Sequence, residues 1–261
     1  MSERESYPTG VPCWITCLAP DVHEAMAFYS EVFGWTYKTD QQVTYAVAIL
    51  RGREVAGIGS LAQAGPDAQP SWITEVCVDS ADAAAERSSA AGGQLLAGPL
   101  DMPPAGRLAV LADPSGAVIC AFEPDARRGA QLVNEPGAWS MSALSTPDPD
   151  AAARFYGAMF GWEREEFGPM TMWRRPGYVG GEPSQPVPRD VVAVMSPPAE
   201  SPAQWGVDLW VEDAGVAAAA AVRAGGAILS PPERLEGLPF RSAVLADPAG
   251  AVFRISQLLT D

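Results

Sequence analysis

The chain holds one histidine, His23, and four cysteines, Cys13, Cys17, Cys77 and Cys120. These are the side chains from which metal centres and activated nucleophiles are most often built, and their spacing supports neither. His23 stands alone, two residues into a helical pattern, where it is expected to face solvent. The cysteines form no C-x-x-C pair and no disulfide framework. All four fall in apolar, strand-like stretches, where a free thiol packs as a small hydrophobe. Gly57-Ile-Gly59 is too short for a dinucleotide fingerprint, and no phosphate-cradling loop occurs. No cofactor is expected.

The elements that would position any site are written twice. Ala109 to Val118 reads AVLADPSGAV, and 134 residues later Ala243 to Val252 reads AVLADPAGAV. FYSEVFGW (Phe28 to Trp35) returns after 127 residues as FYGAMFGW (Phe155 to Trp162). A repeated unit of this length is a domain, so equivalent positions in the two copies must be compared. Each copy divides again into halves that begin alike, with an apolar strand, an acidic helix start and shorter strands behind. In the first copy, CWITCLAP leads to Asp21 as N-cap and a helix in which Ala25, Met26, Phe28, Tyr29, Val32 and Phe33 recur at helical spacing, closed by Gly34. WITEVCV then leads to a helix from about Ala81 to Ala91 and a Gly92-Gly93 stop. Strands near Gln94 to Leu96, Arg107 to Leu111 and Ala117 to Phe122 follow, the last two joined by a turn at Asp113 to Gly116. In the second copy the strand Trp139 to Leu144, Asp148 and a helix through Phe160 repeat the scheme. WGVDLWV, an Ala-rich helix ending at Gly225-Gly226, and the strands Arg241 to Leu245 and Ala251 to Ile255 complete it. The expected organisation is a tail (1–10), a first domain (11–122), a linker (123–137) and a second domain (138–261).

The helix-end phrases, the DPSG and DPAG turns and the Gly-Gly stops, in matching order over roughly residues 11 to 258, resemble the vicinal oxygen chelate superfamily of glyoxalases, bleomycin-binding proteins and extradiol dioxygenases. The resemblance implies an α+β fold of four βαβββ modules, paired into two cup-shaped glyoxalase-like domains. In catalytic members the cup holds a metal on two His and one Glu, or close variants. The ligands lie on the first strand of each module and on the strand after the DPxG turn, seven residues before the helix-capping residue and seven after the turn Asp. Here those positions are Trp14, Ile73 and Cys120 in the first copy, and Met141, Gly206 and Arg254 in the second. Oxophilic divalent metals want imidazole and carboxylate, so the resemblance carries over the fold and the cup but no metal.

The same register implies what lines each cup. Trp14, Thr16, Leu18, Glu75, Cys77, Val118, Cys120 and Phe122 face cup one; Met141, Ala143, Ser145, Asp208, Trp210 and Arg254 face cup two. Glu75 has no cationic neighbour in this reading and is expected to have a raised pKa, making it the candidate general acid or base. Asp208 is expected to pair with Arg254 and stay ionised. Trp14 and Trp210 are candidates for stacking on a planar ligand, with Thr16, Cys77, Cys120 and Met141 beside them. Trp72 and Trp205, one residue out of register, belong to the core. Tyr178, in the Pro- and Gly-rich stretch Gly177 to Asp190, is a candidate contact over a cup mouth.

Two functions compete. One is metal-independent binding of a hydrophobic, aromatic or polycyclic small molecule, an antibiotic or a pathway intermediate. The other is a metal-free enzyme of specialised metabolism performing proton transfer, cyclisation or isomerisation with Glu75; a metal-dependent lyase or dioxygenase ranks below both. With 17 Lys and Arg against 32 Asp and Glu, the net charge of −15 disfavours nucleic acid and anionic membranes as partners. No run approaches the ~20 apolar residues of a membrane helix, and the polar start MSERESYPTG lacks an export signal. With the free cysteines, this gives a cytoplasmic expectation. Tandem copies supply internally the pairing that single-copy relatives get by dimerising, so a monomer or a homodimer is expected.

Overall fold

The computed structural model of the chain describes residues 3–39, 42–65, 68–167, 170–180, 189–196 and 202–259. Four modules follow one another, each a strand, a helix and three strands. The first is β1 (Pro12–Ala19), α1 (Val22–Phe33), β2 (Thr36–Thr39), β3 (Tyr45–Leu50) and β4 (Arg53–Ser60). The second is β5 (Ser71–Cys77), α2 (Ala81–Ala90), β6 (Gln94–Met102), β7 (Gly106–Ala112) and β8 (Val118–Pro124). The third is β9 (Trp139–Ser145), α3 (Pro149–Phe160), β10 (Glu163–Phe167), β11 (Met170–Arg174) and β12 (Val191–Met195). The fourth is β13 (Gln204–Trp210), α4 (Ala214–Arg223), β14 (Ala227–Arg234), β15 (Phe240–Ala246) and β16 (Val252–Leu258).

Each helix starts where its capping side chain takes up free backbone N–H groups. Asp21 accepts from His23 and Glu24, Ser80 from Ala83, Asp148 from Ala151, and Asp213 from Gly215 and Val216. Gly34 and Gly161 end α1 and α3 in the left-handed region, at φ 70° in both, a conformation that favours glycine. His23 is exposed on α1, as expected.

The modules pair within each copy. One eight-stranded sheet runs β2-β3-β4-β1-β5-β8-β7-β6, and the other β10-β11-β12-β9-β13-β16-β15-β14. At the centre of each, the first strands of the two modules run antiparallel, β1 on β5 and β9 on β13. Each cup is therefore the work of one copy. Among the described residues, no helix is long and apolar enough to cross a membrane.

The helix-bearing faces of the two sheets pack on each other, and the repeated phrases find their use there. Phe28, Tyr29 and Phe33 of α1 share a core with Ala214, Ala217 and Ala221 of α4; Phe155, Tyr156 and Phe160 of α3 share another with Ala81, Ala84 and Ala85 of α2. The tyrosine of one copy grips the turn of the other. Tyr29 Oη donates to Asp247 Oδ2 at 3.1 Å and accepts from Trp72 Nε1 at 3.0 Å. Tyr156 Oη donates to Asp113 Oδ2 at 3.0 Å and accepts from Trp205 Nε1 at 2.8 Å. The other oxygen of each aspartate accepts backbone N–H groups of its own turn, from Ser115 and Ala117 or from Ala249 and Ala251. The second glycine of each Gly-Gly stop gives room for the partner phenylalanine: a Cβ on Gly93 would lie 2.4 Å from Phe155, and one on Gly226 2.7 Å from Phe28. Phrases that mark the fold thus hold the two domains together, away from the cups. Trp72 and Trp205 lie in these cores, as the register required.

The stretch 123–137 is more than a connection. Its first two residues complete β8, Ala130, Leu132 and Val133 are buried, and Arg127 enters cup one.

Candidate functional site

Strand pleating sends alternate residues to opposite faces of a sheet, and the two cups fill theirs differently. In cup one both faces are buried. Trp14, Glu75 and Cys120 lie side by side on β1, β5 and β8, with Trp14 opposite Glu75 and Glu75 opposite Cys120. Their exposures are 0%, 4% and 2%, and Thr16, Cys77 and Phe122 are buried beside them. Glu75, rather than Ile73, therefore stands between the other two positions of the set; Ile73 pairs with Thr16 one step along.

Two side chains fill this cup. Tyr45 Oη accepts from Trp14 Nε1 at 2.9 Å and from Arg127 Nη1 at 3.1 Å, and lies 3.2 Å from Thr16 Oγ1. Thr16 Oγ1 donates to Glu75 Oε1 at 2.8 Å. The Arg127 guanidinium lies 3.5 Å from Glu75 Oε2 and sits over the rings of Trp14, Phe122 and Tyr45 at 4.8, 5.0 and 5.6 Å. Gly57, opposite Thr16, leaves the space: a Cβ there would come within 1.9 Å of Tyr45 Oη. The expectation that Glu75 lacks a cationic partner is overturned. Burial still raises its pKa, but Arg127 and the Thr16 bond oppose the rise. No periodicity could have placed Arg127 here, because it follows the last strand of the copy in a stretch with few apolar residues. The only sequence signal is the pair Arg127-Arg128 in a chain poor in cations.

The thiols of this cup are poor nucleophiles. Burial, with Asp79 nearby, pushes Cys77 up to about 11, and burial, with Glu75 nearby, raises Cys120 well above the usual thiol range. Cys77 Sγ also donates to the backbone carbonyl of Tyr7 at 3.2 Å.

Cup two is open. Its outward-alternating neighbours Val207, Leu209, Ala243, Leu245, Phe253 and Ile255 are buried against the helices, while Met141, Ala143, Gly206, Asp208, Trp210 and Arg254 remain accessible to solvent on the concave face. Val194, opposite Ala143, stands where cup one has Gly57 opposite Thr16. Met141 is opposite Asp208, and Asp208 is opposite Arg254, so three of the expected residues meet on β9, β13 and β16. Trp210, one pleat further, packs against Phe240 with ring centroids 6.1 Å apart at 46°.

Here too the expected pairing is corrected. Arg254 Nη1 donates to Ser242 Oγ at 3.2 Å instead of bridging to Asp208. Asp208 Oδ2 accepts from Ser256 Oγ at 2.6 Å, and Oδ1 is buried without a hydrogen-bond partner. Burial pushes the Asp208 carboxyl up to about 6, against the Ser256 bond and the more distant charge of Arg254. The asymmetry expected from sequence is thus reversed: Glu75 is the paired carboxylate and Asp208 the unpaired one. Both errors have one cause, since a guanidinium reaches several ångströms from its Cα and its choice among neighbours is invisible in strand register.

Tyr178 lines a cleft with Arg4 and Tyr7 of the N-terminal tail, and a smaller one that reaches Met141 at the edge of cup two; residues 181–188 of its loop lie outside the described residues.

Paired βαβββ modules closing around a cup define the vicinal oxygen chelate fold. The chain belongs to the glyoxalase-like domain family, whose sequence profile matches residues 14–122 and again 141–256. It is 32% identical to CFP32 of Mycobacterium tuberculosis, described as a proposed glyoxylase, over 98% of this chain and 97% of that protein. It is 28% identical to the anthracycline biosynthesis protein DnrV of Streptomyces peucetius, over 97% of this chain and 94% of that one. The Mn(II)-bound glyoxalase of Novosphingobium aromaticivorans superposes with a TM-score of 0.66 at 17% identity, covering 97% of this chain and 83% of that one.

The donors of this chain do not fit such a metal. Trp14, Glu75 and Cys120 offer one carboxylate and a protonated thiol; Met141, Asp208 and Arg254 offer one carboxylate, a thioether and a cation. A hard divalent ion takes carboxylate, imidazole and water. Among the described residues, no group of three or more His, Cys, Asp and Glu side chains could hold one.

Proposed function

We propose that the chain binds a planar, hydrophobic, aromatic or polycyclic small molecule in cup two, without a metal. The observation that carries this reading is the orphaned Asp208 Oδ1, held buried beside the Trp210–Phe240 pair. A buried acceptor without a partner costs roughly 1–3 kcal/mol, which a ligand hydroxyl or N–H relieves. Trp210 and Met141 supply the apolar walls, in keeping with the usual character of a ligand pocket. Relatives named for anthracycline biosynthesis support a polycyclic, phenol-bearing ligand. The test is a fluorescence titration with 1,8-dihydroxyanthraquinone. Trp210→Ala should weaken binding at least about tenfold, as expected for loss of an aromatic anchor, whereas Trp14→Phe in the filled cup should leave it unchanged. Equal loss from both substitutions, or from neither, would reject cup two as the site.

A second reading, proton transfer within a bound ligand, is favoured by the Asp208 carboxyl at about 6, close to the pH where a general acid or base works best. It moves the catalytic role from Glu75 to Asp208. Asp208→Asn should then abolish turnover while binding stays within a few-fold. The working environment that suits both readings is a reducing cytoplasm, with the four cysteines free and buried. Partners are small molecules rather than nucleic acid or membrane, and the internally paired domains suit a monomer or a homodimer.

A further inference from the structure

Outside both cups, a cavity of 520 Å3 lies between the N-terminal tail and the turn that follows β11. A smaller one, lined by some of the same residues, extends from it to Met141 and Val191. Arg4 and Arg175 line the larger cavity and Arg4 and Arg189 the smaller, and among the described residues no aspartate or glutamate lines either. In a chain with 32 acidic and 17 basic residues, that concentration of one sign is the reverse of the surface as a whole. None of the ion pairs among the described residues engages Arg4, Arg175 or Arg189.

The arginines are held in place by backbone. Arg189 Nε donates to the Gly180 carbonyl at 3.0 Å and Arg175 Nη1 to the Pro176 carbonyl at 3.1 Å, while Arg175 Nε is buried with no partner. Gly10 makes room for Arg175, since a Cβ there would lie 2.8 Å from its Nε. The walls are aromatic. Tyr7 is fixed by donating to the Ala130 carbonyl at 2.7 Å, and Tyr178 faces it across the cleft. Thr9 of the lining donates its hydroxyl to the Asp79 carboxylate.

We propose that this cleft is a second binding site, distinct from the Asp208–Trp210 site in cup two, for a small aromatic carboxylate. Guanidiniums match the planar, two-oxygen geometry of a carboxylate, the phenol rings offer stacking surface, and the volume falls in the range of small-molecule pockets.

The probe is 2-naphthoate, titrated by calorimetry on the full chain, with 2-naphthol as its uncharged counterpart. The wild type should bind the acid at least about tenfold more tightly than the phenol, the factor expected for one charge-assisted contact. Added salt should weaken binding of the acid. Arg4→Gln and Arg175→Gln should each lower its affinity by about tenfold or more, and Trp210→Ala should leave it unchanged. Arg4 lies on the tail with a half-exposed side chain, so its substitution remains informative even if Arg175→Gln, next to the end of α3, fails to fold. The proposal is overturned if the wild type shows no saturable binding, if 2-naphthol binds as tightly, if both arginine variants bind normally, or if Trp210→Ala removes binding.

Discussion

Asp208 makes a prediction about stability that runs against the usual effect of altering a buried polar residue. Its carboxyl stands at about 6 in the folded protein against an ordinary 3.8. Above pH 6 both folded and unfolded chains carry the carboxylate, and the folded state bears the full cost of its burial, ~3 kcal/mol by linkage. As pH falls from 6 towards 3.8, the folded chain binds a proton that the unfolded chain does not, and the cost is progressively relieved. Asp208→Asn removes the charge at every pH. It also weakens the Ser256 bond and places an amide where Oδ1 was, a loss of about 1 kcal/mol that does not depend on pH. The variant should therefore be the more stable protein at about pH 8, by roughly 2 kcal/mol. That advantage should shrink by roughly 1.4 kcal/mol at about pH 5, still above the isoelectric point of about 4.4. Urea denaturation of both proteins at the two pH values measures the difference, and other titrating groups cancel. A variant less stable than wild type at pH 8, or a difference indifferent to pH, would refute an unpaired, charge-bearing Asp208. A site that is less stable than it could be is a common cost of function.

Other substitutions test the remaining structure. Tyr29→Phe should cost about 1.5–3 kcal/mol in chemical denaturation, because it strips a buried aspartate on the other domain of its hydroxyl donor, and Tyr156→Phe should match it. Arg127→Met should cost about 3–5 kcal/mol near neutral pH by leaving Glu75 buried without its cation. The cost should diminish in acid as Glu75 takes up a proton, and Glu75→Gln in the same chain should restore most of it. Gly57→Ala should drive Tyr45 from cup one, seen as a fall in melting temperature and a new exposed tyrosine in differential absorption.

Much of this architecture was legible in the sequence because it is written locally. Capping Asp21, Asp148 and Asp213, the glycine stops and the doubled phrases place four modules without further help. What the phrases do was not legible. Tyr29 and Asp247 are separated by 218 residues, and nothing in either neighbourhood says that they touch. The face of each strand followed from period-two alternation, which put Met141, Asp208, Trp210 and Arg254 together in one cup. Whether a cup is filled or open depends instead on side chains that arrive from elsewhere. Tyr45 comes from a strand with no local signal in the sequence, and Arg127 from a stretch that reads as linker, so the sequence offers candidates in both cups and does not say that cup one is packed.

A crystal structure of the protein with 1,8-dihydroxyanthraquinone shows whether cup two is the ligand site. The expected result is the ring system seated on Trp210 in cup two, a phenol directed at Asp208 Oδ1, and Arg127 still paired with Glu75 in cup one. Ring density in cup one, with Arg127 displaced and cup two without ligand, would contradict it.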